Sequence, residues 1–151
     1  MAFETVNFSF LGSSEKPLVR AAAAAECTVF TDPVTSLMRL RQFGELLAQE
    51  AAARVGLYDE GESQLQLLRD LADQRVLTSE VADLFHDLRR KGNQATHDGV
   101  ANQREALHQL RMARTLAVWF LRSFGKQPNL KVGKFVPPRI PNRRITSCMR
   151  N

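Results

Sequence analysis

A chain of 151 residues suits one domain with a worthwhile core, and a charged fraction of 25% is ordinary for a soluble globular protein. The net charge of +5 is uneven: residues 126–151 hold seven Lys/Arg and no Asp/Glu, which leaves −2 for residues 1–125. A near-neutral body argues against a broad phosphate-binding face, and the lack of any run of about 18 uncharged apolar residues argues against a membrane span.

The start of the chain contains Glu4 and no basic segment followed by an apolar run, so no signal peptide is expected. "NFSFL" alternates, with Val6, Phe8 and Phe10 on one side, and predicts a short extended arm tucked onto helices. Gly12-Ser13-Ser14 is turn chemistry with a helix cap, and Pro17 suits the first turn of a helix running to about Thr28. The Ala21–Ala25 run in that helix permits close contact with a neighbour. Cys27 and Cys148 are far apart and form no CxxC, so neither a disulfide framework nor a zinc module is expected, and a reducing cytoplasm is the expected location.

"TDPV" predicts the next helix, capped by Thr31 or Asp32 with Pro33 at its first position. Val34, Leu37, Met38, Phe43, Leu46, Leu47 and Val55 continue it as one apolar stripe ending near Gly56. A third helix fits "SQLQLLRDLADQ" with Ser63 as cap, and a fourth fits "LTSEVADLFHDLRRKG", stopped in left-handed conformation at Gly92. The fifth, about Asn102 to Phe124, ends in "LAVWFL", apolar on every face, which demands enclosure by the fold or cover from a partner such as a second copy. Beyond Gly125 come four of the six prolines and all the excess cations, predicting a basic, unanchored linker that leads toward a following domain. The expected fold is all-α: a bundle of about five helices over residues 1–125, with a short N-terminal arm and a basic Pro-rich linker over 126–151.

The one concentrated polar stretch is "RRKGNQATHDG", residues 89–99. Cations in a last helical turn complement the helix dipole, and Asn93 can close a turn through its amide, so a polar joint between helices accounts for much of it. Chemically, Arg90 could hold a phosphate while His97 moves a proton from a ribose hydroxyl, with Asn93 and Glu45 in support. Glu45 also lies four residues after Arg41, the spacing of an ordinary helix ion pair. Arg89, Arg90, Lys91, Arg143 and Arg144 are the candidate nucleic-acid contacts. His86, His97 and His108 lack ligand-type spacing, so no metal site is expected, and no cofactor is implied.

Arg90 and His97 resemble the Arg-x4–6-His signature of the HEPN superfamily, α-helical domains that include metal-independent ribonucleases. Lys91 departs from it by standing where that signature usually carries a polar residue, with asparagine only at position 93. More closely, "NFSFL", "TDPVTSLMRLRQFGE", "LFHDLRRKGNQATH", "RTLAVWFLRSF" and "FVPP", in that order over residues 7–138, are similar to the N-terminal domain of type I restriction enzyme R subunits. That resemblance implies a helical module serving an ATP-dependent, site-specific deoxyribonuclease, with DNA, RNA, other subunits or a following domain as partners. No GxxxxGK[ST] loop occurs, and "FGKQ" lacks its glycine spacing, so this chain by itself is expected neither to hydrolyse ATP nor to cut DNA.

Overall fold

The computed structural model describes residues 5–12, 16–125 and 127–139. After a 3-10 turn at Ser9–Leu11 come α1 (Lys16–Thr28), α2 (Pro33–Arg54), α3 (Gln64–Asp73), α4 (Ser79–Asp98) and α5 (Gln103–Phe124), with no strand among the described residues. None of these helices is long and apolar enough to cross a membrane.

Local chemistry sets most boundaries. Asp32 accepts from the Thr35 amide at 3.1 Å with Pro33 at the first helical position, and Ser63 does the same for Gln66 at 3.1 Å. Thr78 accepts from Val81 at 3.3 Å, and Asn102 from Glu105 at 2.7 Å. Each cap satisfies an amide with no partner inside its helix and stabilises the start by about 1 kcal/mol.

The long α2 packs against all four other helices and forms the centre of the bundle. Phe43, Leu37, Leu40 and Leu47 on α2 are fully buried with Phe8 of the arm, Phe85 of α4 and Phe120 of α5. Alanines 21, 22 and 25 of α1 are buried, as are 48, 51 and 52 of α2. These small side chains bring the helices close enough for Ser36 to donate a buried hydrogen bond to the Ala25 carbonyl at 2.8 Å.

Several sequence expectations need correction. Gly92 does not stop α4; it is buried in mid-helix, and the left-handed stop is Gly99, with φ of 71°. A Cβ at Gly92 would sit 2.5 Å from Arg41 Cβ and 3.0 Å from the Leu37 carbonyl oxygen, so this glycine lets α4 touch the backbone of α2. The arm does not alternate as an extended strand: it turns at Phe8, and Val6 is left 67% exposed while Phe8 is fully buried. Cys27 is half-buried on α1, and Cys148 lies outside the described residues.

The expectation of an unanchored linker fails for residues 127–139. They carry no regular structure, yet Arg122 donates to the Leu130 carbonyl at 2.6 and 3.0 Å, and Arg114 donates to the Gly133 carbonyl at 2.6 Å. Leu130 and Phe135 pack on the core, with the Arg111 guanidinium 4.8 Å from the Phe135 ring centre. Composition counted the segment's own residues but not the arginines of α5 that hold it.

The apolar end of α5 is spent inside the bundle. Leu116, Ala117, Phe120 and Leu121 are buried, and half-buried Trp119 meets Phe85 and Phe124 edge-on at 5.8 and 5.7 Å. The exposed large apolar side chains among the described residues lie elsewhere, so α5 does not offer the apolar docking face its sequence suggested.

Candidate functional site

Because α4 continues to Asp98, the polar stretch is helix rather than loop. At 3.6 residues per turn, His86, Arg90, Asn93 and His97 fall on one stripe, with Arg89 beside it. Arg90, Asn93 and His97 are exposed, and His86 and Arg89 are half-buried. Seven residues separate Arg90 from His97, about 10 Å along the axis. They share a face without converging on one point.

His97 does not hold the joint between α4 and α5. Its side chain is 89% exposed, and its Nδ1 meets only the neighbouring Asp98 carboxylate, at 3.1 Å. Asn93 does not close a turn; its Oδ1 accepts from Arg41 Nη1 across to α2, at 3.4 Å. Glu45 lies 3.5 Å from the same Arg41 nitrogen, so it pairs with Arg41 rather than with Arg90 or His97. The close α2–α4 approach at Gly92 places this Glu45–Arg41–Asn93 chain.

Lys91 is turned away from its neighbours. Its ammonium meets the Glu105 carboxylate of α5 at 2.8 Å, and that hydrogen bond and attraction hold its pKa above the usual lysine value. Glu105 in the first turn of α5 thereby ties the two helices, and Gln109 one turn on donates to Asp87 at 3.0 Å. Arg143 and Arg144 lie outside the described residues.

Sequence reasoning passed over Arg69 on α3 and treated His86 only as a non-ligand. Burial pushes the His86 pKa below the usual histidine value, helped by Arg89, by Arg90 and least by Arg69, against an opposing pull from Asp83. Arg89 and Arg90 follow His86 by about one turn along α4, and Arg69 lies on α3, which packs against α4. Buried Arg89 Nε has no protein acceptor, and neither does Arg41 Nε nearby, while Gln64 Oε1 has no donor. The signal for this cluster was the His86, Arg89, Arg90 spacing of i, i+3, i+4, visible only once α4 is known to run through it.

Two further features stand apart from the stripe. Glu62 is pushed up to about 7 by its hydrogen bond to Asp70 and by the negative charges of Asp70 and Asp59, while the same bond lowers Asp70. An open cavity of about 270 Å³ between α1 and α2, lined by Pro17, Leu18, Leu46, Gln49, Glu50, Ala53 and Tyr58, contains none of the predicted site residues.

An all-helical bundle with a polar, cationic stripe along its fourth helix is thus the class of protein these features define. Residues 23–118 match the family described as "Domain of unknown function (DUF4145)", and the chain belongs to that family. It is 35% identical over 132 residues to the type I restriction enzyme EcoKI endonuclease subunit of Escherichia coli (strain K12). That alignment covers 87% of this chain but 11% of the relative, so the chain is related to one domain of a much longer subunit. No solved structure matches.

Proposed function

We propose that this chain is a non-catalytic helical domain of a type I restriction enzyme R subunit, acting in DNA restriction through subunit assembly or contacts with DNA. The observation that carries the proposal is identity at 35% over 87% of the chain to an endonuclease subunit. The sequence lacks the phosphate-loop pattern of an ATP-driven engine, so cleavage and translocation would belong to the other domains of such a subunit. Residues 126–151, basic and proline-rich, would form the connection toward them.

A second reading, a HEPN-like metal-independent ribonuclease, rests on Arg90 and His97 standing exposed on one face of α4. In one copy they are about two turns apart, so their meeting at one phosphate would need a second copy facing the first. Incubation with labelled single-stranded RNA and EDTA separates the two. The non-catalytic domain leaves the RNA intact. Cleavage that His97→Ala abolishes would install the ribonuclease instead. His97 bonds only to its exposed neighbour, so that variant is expected to keep its stability within about 0.5 kcal/mol, and lost activity could not be blamed on unfolding.

A further inference from the structure

Most of the arginines along α2 and α5 are spent on holding the molecule together. Arg41 bonds Asn93 and Glu45, Arg54 bonds the Phe124 carbonyl, Arg114 bonds the Asn7 and Gly133 carbonyls, and Arg122 bonds Leu130. Arg69, Arg89 and Arg90 differ: among the described residues none of them makes a hydrogen bond or an ion pair. Arg89 and Arg90 follow His86 by three and four residues on α4, Arg69 is exposed on α3, which packs on α4, and all three charges push the His86 pKa down.

Three guanidinium charges acting on one imidazole cost energy through repulsion, and among the described residues Asp83 is the one anion that opposes them there. A buried guanidinium Nε without an acceptor, as at Arg89, adds to the cost. An anion arriving from outside would reverse both terms. We infer that Arg69, His86, Arg89 and Arg90 form a docking site for the phosphates of a nucleic-acid backbone on the α3–α4 face, an assignment that rests on the DNA-contact part of the proposed function.

Charge and polarity select this ligand. Guanidinium groups match phosphate oxygens in paired hydrogen bonds. A protein partner would instead look for apolar anchors at the centre of its interface. Among the described residues the exposed large apolar side chains are Val6, Met38, Val55, Tyr58, Val100 and Val136, none on α3 or α4. The same lack disfavours insertion into a lipid surface. Lys91, although next to Arg90, is already neutralised by Glu105 and is not part of the site.

Fluorescence anisotropy of the full chain with a labelled DNA duplex, over a salt series, tests the assignment. Each phosphate contact removed lowers the slope of log affinity against log salt by about 0.9. Arg69→Gln, Arg89→Gln and Arg90→Gln together are expected to lower it by about 2.7, and Arg39→Gln, bonded to Gln42 on α2, leaves it unchanged. Should the triple variant fail to fold, Arg69→Gln alone, on an exposed position of α3, carries the test with a change of about 0.9.

A bound phosphate also offsets the repulsion His86 feels from Arg69 of α3 and from Arg89 and Arg90 of α4, alongside Asp83. Affinity should therefore rise as pH falls through the histidine range, and His86→Gln should flatten that rise. Duplex binding that survives the triple substitution with its salt slope intact overturns the assignment while leaving DNA contact standing. A wild-type chain that does not bind the duplex overturns both. Polyglutamate displacing the duplex at equal charge concentration would make an acidic protein the ligand, and would overturn the phosphate site.

Discussion

Gly92→Ala is expected to destabilise the protein by about 2 kcal/mol, even though alanine is the better helix former. The added methyl would lie 2.5 Å from Arg41 Cβ and 3.0 Å from a backbone oxygen, and neither can swing aside like the end of a flexible side chain. Overpacking of this kind costs about 1–3 kcal/mol, and a contact this short takes the upper end, so a helix-propensity gain of about 1 kcal/mol leaves a net loss of about 2 kcal/mol. At the upper end of that cost the thermal midpoint falls by about 4–8 °C for a domain of this size. Gly44→Ala on the facing helix supplies the control. Its methyl would meet the Leu88 side chain at 3.4 Å, and the end of that chain can move. That variant should be neutral or slightly stabilised. Equal melting of the two variants would show that the α2–α4 contact is not set by Gly92.

Asn7→Ala is expected to cost about 2–3 kcal/mol and to release the segment after α5. Asn7 is 1% exposed and works as a clamp between the N-terminal arm and the segment after α5. Its amide donates to Glu26 at 2.6 Å and to the Val136 carbonyl at 2.8 Å, while its oxygen accepts from the Val136 amide at 2.8 Å. Its own carbonyl accepts from Arg114 of α5 at 3.1 Å. Truncation takes one donor from the Glu26 carboxylate, which keeps the backbone amides of Val6 and residue 7, and leaves two backbone groups of Val136 without their partner; each such loss costs about 1–3 kcal/mol in a buried setting, less where water reaches Val136. The midpoint should drop by about 4–12 °C. Lys131 and Lys134 should become sites of rapid tryptic cleavage, while the helices persist. A variant whose tail remains as resistant as the wild type would show that Arg122, Arg114 and Phe135 hold it without Asn7.

Local signals carried the helix count and the helix starts. Asp32, Ser63, Thr78 and Asn102 cap where short polar side chains precede apolar periodicity, because capping depends on three or four neighbouring residues. The end of α4 was not local. Gly92 and Gly99 both satisfy the composition of a helix stop, and only the approach of α2 decides which is packed and which takes the left-handed turn. That one choice made a helix face look like a loop, and it hid the stripe on which His86 and Arg90 stand. The roles of Asn7 and Glu26 were invisible for a related reason: their partners include a residue 129 positions away. Likewise "LAVWFL" shows that α5 must be covered, but not that Phe85 of α4 meets Trp119 and Arg54 of α2 lies over Phe120.

The chemistry divides in the same way. Ion-pair spacing told correctly for Arg41 and Glu45, since an i, i+4 pair on a helix needs no tertiary information. Lys91 looked as available as Arg89 and Arg90, and only the position of Glu105 on the next helix removes it. Arg69 could not be grouped with α4 until α3 was seen to pack there.

The relation to a restriction endonuclease subunit is tested most directly by exchange. The segment of the Escherichia coli subunit that aligns with this chain would be replaced by residues 7–138, and DNA cleavage by the assembled enzyme measured beside the parent and beside a deletion of the segment. The proposed function predicts that the exchanged subunit assembles and cleaves while the deletion does not. An exchanged subunit that folds and assembles but cuts no DNA, or a deletion that cuts as well as the parent, would contradict it.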